Sequence, residues 1–254
     1  YTNAAHKNGV KSIGCIFLPR TGQPSADMLE QDENGGFPVA DKLIEIAEYY
    51  GFDGYFINQE ESIPSENVKI YKQFTKYLID HGLYLQWYDS LKPSGSLSYQ
   101  NELNENNATF IQDTEYGLGK VNSSLFVNYD WFRSSGGETK ADKSLRYAAD
   151  NGIDPFTEVF FGVEANQGKF SGSHGSALHL DYIYQPGTKN LRGSVALFTP
   201  SDYYQRGLDD DLSISAGEIP LFQQKEYQWM IDERERMYFS GVMEDPTDTG
   251  KKDG

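Results

Sequence analysis

Short apolar runs alternate along this chain with amphipathic stretches of helical period. That alternation restricts the fold most, because strands joined through helices lie parallel in one sheet. The runs fall at residues 10–18 (VKSIGCIFL), 51–60 (GFDGYFINQE), 83–90 (LYLQWYDS), 124–131 (SLFVNYDW), 157–167 (TEVFFGVEANQ) and 193–200 (GSVALFTP), with 108–113 (ATFIQD) as a weaker seventh. Between them, residues 40–50 place Leu43, Ile46, Ala47 and Tyr50 on one helical face, and residues 65–81 do the same with Val68, Tyr71, Phe74 and Leu78. Further helices are expected at 138–150 and 221–239, and the opening YTNAAHKNGVKSIG reads as the end of a helix running into a strand. We expect an α/β fold, a (β/α)8 TIM-type barrel over residues 1–240 that is incomplete at its N-terminus, with a first strand upstream of Tyr1. Residues 241–254 read as a polar tail or linker. An open doubly wound sheet is the alternative, but no Gly-rich phosphate loop follows any strand.

The charge balance removes one class of partner. With 38 acidic and 22 basic residues the formal net charge is -16, which opposes any ligand bound by phosphate neutralisation, so nucleic acid is not expected. The 18 Tyr, 15 Phe and 3 Trp suit stacking on sugar faces, although aromatic cores are equally ordinary. The single Cys15, inside an apolar run, reads as a buried structural thiol. His6, His81, His174 and His179 have no ligand spacing, and Asp209 to Asp211 read as a solvated loop rather than a calcium site, so no metal or cofactor is expected. No run suits a membrane span, so none is expected.

In a (β/α) barrel the chemistry sits where the strands end. Four runs here close on polar residues: Asn58 and Glu60; Tyr88 and Asp89; Asn128, Asp130 and Trp131; Glu164 and Asn166. Alternation puts Gly54, Phe56, Asn58 and Glu60 on one face and Tyr55, Ile57 and Gln59 on the other. At ~3.3 Å per residue Asn58 and Glu60 stand roughly 6.5 to 7 Å apart. Glu60 can give a proton to a glycosidic oxygen, and Asn58 can hydrogen-bond an amide carried by the substrate. The plain alternative is that both residues satisfy loop backbone at the barrel rim.

Taken in order, GFDGYFINQE, LYLQWYDS, SYQNELN, LFVNYDW and FFGVEANQG resemble glycoside hydrolase family 85, over about residues 3–246. The resemblance implies an endo-β-N-acetylglucosaminidase that cuts between the two core N-acetylglucosamines of N-linked glycans on glycoproteins. It implies a retaining, substrate-assisted mechanism through an oxazoline, with Asn58 orienting the 2-acetamido group and Glu60 as proton donor and acceptor. It further implies Tyr88 near the acetamido group, Trp131 as a stacking ring, and Asn128, Asp130 and Glu164 as sugar-binding residues. Tyr99 stands where many members have Trp, and Gln59 where many have an aliphatic residue. Other domains of a parent protein and an extracellular or cell-surface location are expected on the same basis. Two alternatives stay open: a two-carboxylate glycosidase using Glu60 with Glu164 or Asp89, and a glycan-binding barrel without catalysis.

Overall fold

The N-terminal sequence folds as its pattern predicts, a short helix α1 (Thr2–Lys7) leading into strand β1 (Ile13–Leu18). There follow α2 (Pro24–Met28), α3 (Pro38–Tyr50), β2 (Gly54–Gln59), α4 (Ser65–Asp80), β3 (Tyr84–Tyr88), α5 (Glu105–Ala108), β4 (Gln112–Asp113), β5 (Gly119–Lys120) and β6 (Ser124–Val127). After these come β7 (Ser134–Ser135), β8 (Glu138–Thr139), α6 (Lys140–Asn151), β9 (Val159–Glu164) and β10 (Ser194–Phe198). This computed structural model describes residues 1–164, 182–188 and 190–199. The chain divides into two units, Tyr1–Asn128 with Lys143–Phe160, and Tyr129–Asp142 with Phe161–Gly254. Outside the described residues lie His174, His179, Asn166, the aspartates 209–211, the helix expected at 221–239 and the tail at 241–254.

In the first unit β1, β2, β3 and β6 pair in that order, all parallel. The register sets Phe17 beside Asn58, Cys15 beside Phe56, Phe56 beside Gln86, and Tyr88 beside Phe126. Side chains at paired positions share a face. The opposite face carries Ile57, Trp87 and Leu125, all with no exposed surface, as have Val68, Tyr71, Phe74 and Leu78 of α4. Each such side chain contributes about 1.5–3 kcal/mol by leaving water. Trp87 is central to this layer, edge-on to Tyr71 at 4.9 Å and stacked on Phe110 at 4.9 Å. The sheet is therefore dry on its helix side, and its other side carries Asn58 and Gln86 among aromatic rings.

Two glycines explain the GFDG lead into β2. Gly51 ends α3 in the left-handed region, with φ 76°. At Gly54 a Cβ would lie 1.7 Å from the backbone oxygen of Tyr84, so any side chain would force β2 and β3 apart.

Three expectations are corrected. Tyr50 does not join the buried stripe of α3; at the helix end it is exposed and packs on Tyr49 and Phe52. The run 108–113 is not a stave of the sheet. Asn104 caps α5 through a reciprocal pair with Asn107, which draws residues 105–108 into a helix and leaves only Gln112–Asp113 to pair, antiparallel, with β5. Cys15 is exposed rather than buried, and the register puts it on the face opposite Ile57 and Trp87.

In the second unit β7 and β8 form a small antiparallel hairpin. Trp131, Phe161 and Val163 are fully buried there. Among the described residues no helix is long and apolar enough to cross a membrane, and no cluster of His, Cys, Asp and Glu could hold a metal ion.

Candidate active site

The polar end of β2 divides cleanly between two faces. The ladder with β1 continues past the last strand residue, since Glu60 N donates to Leu18 O at 2.8 Å, so strand alternation holds through Glu60. On the helix side Gln59 is fully buried, accepts from the Tyr71 hydroxyl at 3.1 Å and donates to the Glu61 carbonyl. Glu61 is also buried there and accepts from Ser25 N at 3.0 Å. Asn58 and Glu60 lie on the other face and are half-buried. Among the described residues the Asn58 amide has no hydrogen-bond partner.

Glu60 has a neighbour that the sequence reading missed. The Nε of Arg20 lies 3.5 Å from Glu60 Oε2, and its Nη2 donates to the Tyr99 hydroxyl at 2.8 Å. Arg20 sits two residues beyond β1, just past the end of that strand. Burial and the Glu60 charge raise the Tyr99 phenol above its ordinary pKa, while the Arg20 hydrogen bond works against them.

Aromatic rings border this pair. Tyr88 lies 5.7 Å from Tyr99 and 6.1 Å from Phe56, and Phe126 lies 5.6 Å from both Phe56 and Tyr88. The Tyr88 hydroxyl donates to Asn128 Oδ1 at 2.8 Å, and Asn128 Nδ2 donates to Asn101 Oδ1 at 2.7 Å. Glu60, Tyr88, Tyr99 and Asn128 are thus joined in the first unit by direct contacts, with Asn58 on the same sheet face by register.

Asp89, the carboxylate after Tyr88, is only 1% exposed. Its Oδ1 accepts from Gln100 N at 3.2 Å and Asn107 Nδ2 at 2.9 Å, and its Oδ2 from Asn101 N at 2.7 Å and Asn128 N at 3.3 Å. Burial pushes its pKa up to about 6, against the lowering effect of these four donors. Both oxygens are occupied by protein donors, an arrangement that lends no support to Asp89 as the second carboxylate of a two-carboxylate scheme.

The other expected residues belong to the second unit. Trp131 has no exposed surface; its indole N–H donates to Gly162 O at 2.7 Å and its ring packs 5.4 Å from Phe161. That burial lends no support to a stacking role for it. Asp130 pairs with Arg133 Nε at 2.9 Å, and Glu164 is buried, 6% exposed.

A carboxyl group and an unengaged amide on one face of a parallel strand end, bordered by tyrosines, make up a site suited to a sugar that carries an amide. The chain belongs to glycosyl hydrolase family 85, which it matches over residues 1–252. It is 33% identical over 216 residues to the cytosolic endo-beta-N-acetylglucosaminidase of Danio rerio, covering 81% of this chain and 27% of that protein. It is 30% identical over 245 residues to the enzyme of the same name from Mus musculus, covering 92% and 29%. Among solved structures it resembles the glycoside hydrolase domain of Endo-D from Streptococcus pneumoniae R6, with a TM-score of 0.71 and 28% identity over 96% of this chain and 36% of that one. The chain therefore spans under a third of the two curated relatives. Their names also correct the expected extracellular or cell-surface location, since both are cytosolic proteins.

Proposed function

We propose that this chain carries the catalytic centre of a cytosolic endo-β-N-acetylglucosaminidase that hydrolyses the β1,4 bond between the two core N-acetylglucosamines of N-linked glycans. The observation that carries the reading is the Asn58 amide, unengaged and on the same strand face as Glu60. In this reading the carbonyl oxygen of the substrate's 2-acetamido group attacks its own anomeric carbon while the glycosidic C–O bond breaks. Glu60 gives its proton to the departing oxygen, and Asn58 holds the acetamido group and stabilises its imidate form. Water then attacks the anomeric carbon of the oxazoline, which still carries its N–H proton as an oxazolinium, from the vacated side and gives a proton to Glu60. The ring opens to the acetamide with configuration retained. Tyr88 and Tyr99 border the sugar, and Asn128 orients the Tyr88 hydroxyl. The four parallel strands are read as staves of a (β/α)8 barrel, a reading supported by the strand and helix alternation and by the likeness to the Endo-D domain.

The test is the mass of the products from a defined N-glycopeptide. Cleavage should leave one N-acetylglucosamine on the peptide, and Glu60→Gln should lower turnover by about 10²–10⁴-fold. Unchanged turnover in that variant would sink the assignment.

A further inference from the structure

The segment between β3 and β4 is rich in amides, and its folding centres on one carboxylate. Asn104 and Asn107 close the cap of α5 on each other, and Asn107 Nδ2 also donates to the Glu102 carbonyl at 2.7 Å. Asn101 is one of the few non-glycine residues with positive φ, 59°, a conformation that asparagine tolerates better than most residues. That turn directs the backbone N–H groups of Gln100 and Asn101 at Asp89. The same carboxylate takes Asn128 N from the end of β6. The adjoining Ser90 accepts Ser98 N on its carbonyl at 2.6 Å, and its hydroxyl donates to the carbonyl of Gln59. The stretch that carries Tyr99, the residue that holds Tyr88, and the strand end that carries Asn58 and Glu60 therefore all meet at Asp89 and Ser90.

We propose that Asp89 is a positioning residue of the site: by accepting hydrogen bonds from both Asn101 and Asn128 it fixes Tyr99 and Tyr88 relative to each other and to the end of β2. The inference rests on the reading of the site as a glycosidase centre. Asp89 does not meet the substrate; it acts through the two tyrosines. Four N–H donors converge on it, so its ionised form is the one that holds them all. Protonation places an O–H against donors and releases part of the brace. The ionisable groups on the elements around it are Tyr84 and Tyr88 on its own strand, Lys92, Tyr99, Glu102 and Glu105 on the following segment, and Glu60 and Glu61 at the end of β2. Because other carboxylates lie close by, a differential pH measurement is needed to isolate Asp89.

The experiment is the pH profile of kcat/KM on an N-glycopeptide for the wild type, Asp89→Asn and Asn107→Ala. In the wild type kcat/KM should fall as pH drops through about 6, the value to which burial raises Asp89. Asp89→Asn leaves one acceptor oxygen where there were two and should lose about 10²-fold, the cost of a misplacement near 1 Å. Asn107→Ala removes a donor that lowers the Asp89 pKa, so its acid limb should move to higher pH. The inference is overturned if Asp89→Asn turns over like wild type, or if Asn107→Ala leaves the limb in place. Should Asp89→Asn fail to fold, the Asn107→Ala limb decides. If wild type does not cleave the glycopeptide, the glycosidase reading fails instead. The amide resonances of Gln100, Asn101 and Asn128 must still titrate together, and separate titrations would overturn the brace itself.

Discussion

Asp89 and Asp113 expose nearly the same small surface, 1% and 2%, but Asp89 lies deeper, and the two are compensated by opposite means. Asp113 lies beside a cation: Lys72 Nζ is 2.8 Å from its Oδ1, with neither side chain exposed, and Tyr116 N and Leu118 N donate to its Oδ2 at 3.0 and 3.1 Å. Burial alone would raise its pKa, but Lys72 and the two amides outweigh it and hold the carboxyl below its ordinary value. Asp89 has four donors and no cation among them, and burial wins. The cation and the shallower burial together make the Asp113 charge permanent, whereas deep burial with amide donors alone leaves Asp89 able to titrate near 6. The permanent one fastens α4 to the β4–β5 hairpin, and the titratable one lies beside the candidate site.

The largest expected effect comes from removing the cation. Lys72→Met would leave Asp113 charged in a dry site with only its two amide donors, at a cost of about 3–5 kcal/mol. Urea unfolding of the variant measures this directly, and a loss under about 1 kcal/mol would mean that water reaches Asp113 and that the two sites are alike. A somewhat smaller effect separates the two carboxylates by pH. The folded pKa of Asp89 is raised from 3.8 to about 6, so stability is lost as pH rises through that window, by about 3 kcal/mol. The folded pKa of Asp113 is lowered, so its contribution is present above pH 3.8 and is lost as pH falls through its own pKa. Asp89→Asn should therefore flatten the stability slope between pH 4 and 6, and Asp113→Asn should change the slope only below it. Parallel curves for the two variants would erase the distinction.

The sequence disclosed one half of the site. Strand alternation through 54–60 separates Asn58 and Glu60 from Gln59, and the structure keeps that separation by burying Gln59 against Tyr71. The stripe Val68, Tyr71, Phe74 and Leu78 was legible for the same reason, a period fixed by local geometry. Asp89 was visible only as a polar strand end. Its donors lie 11, 12, 18 and 39 residues away at Gln100, Asn101, Asn107 and Asn128, and no local pattern announces a turn that aims their N–H groups at one carboxylate. Arg20 escaped notice for a related reason, because an exposed arginine after a strand acquires meaning only from the Glu60 and Tyr99 that meet it. The capping of α5 by Asn104 overrode the apolar run at 108–113, and a side-chain cap of that kind competes with strand pairing wherever asparagines cluster.

The smallest effect is expected one turn along α4 from Lys72, where Lys76 and Asp80 form a pair of the same length, 2.8 Å. Their side chains are 33% and 56% exposed, so water competes for both charges and salt screens what remains. The order also works against them, because a lysine four residues before an acid opposes the helix dipole rather than following it. Lys76→Ala should therefore change stability by less than about 0.5 kcal/mol, and alanine's better helix propensity offsets part even of that. Measured in urea at low and at high salt, the variant and wild type should differ little at either. A loss near that of Lys72→Met would show that bond length rather than burial sets the strength of these pairs, and the contrast between Asp113 and Asp89 would then need another cause.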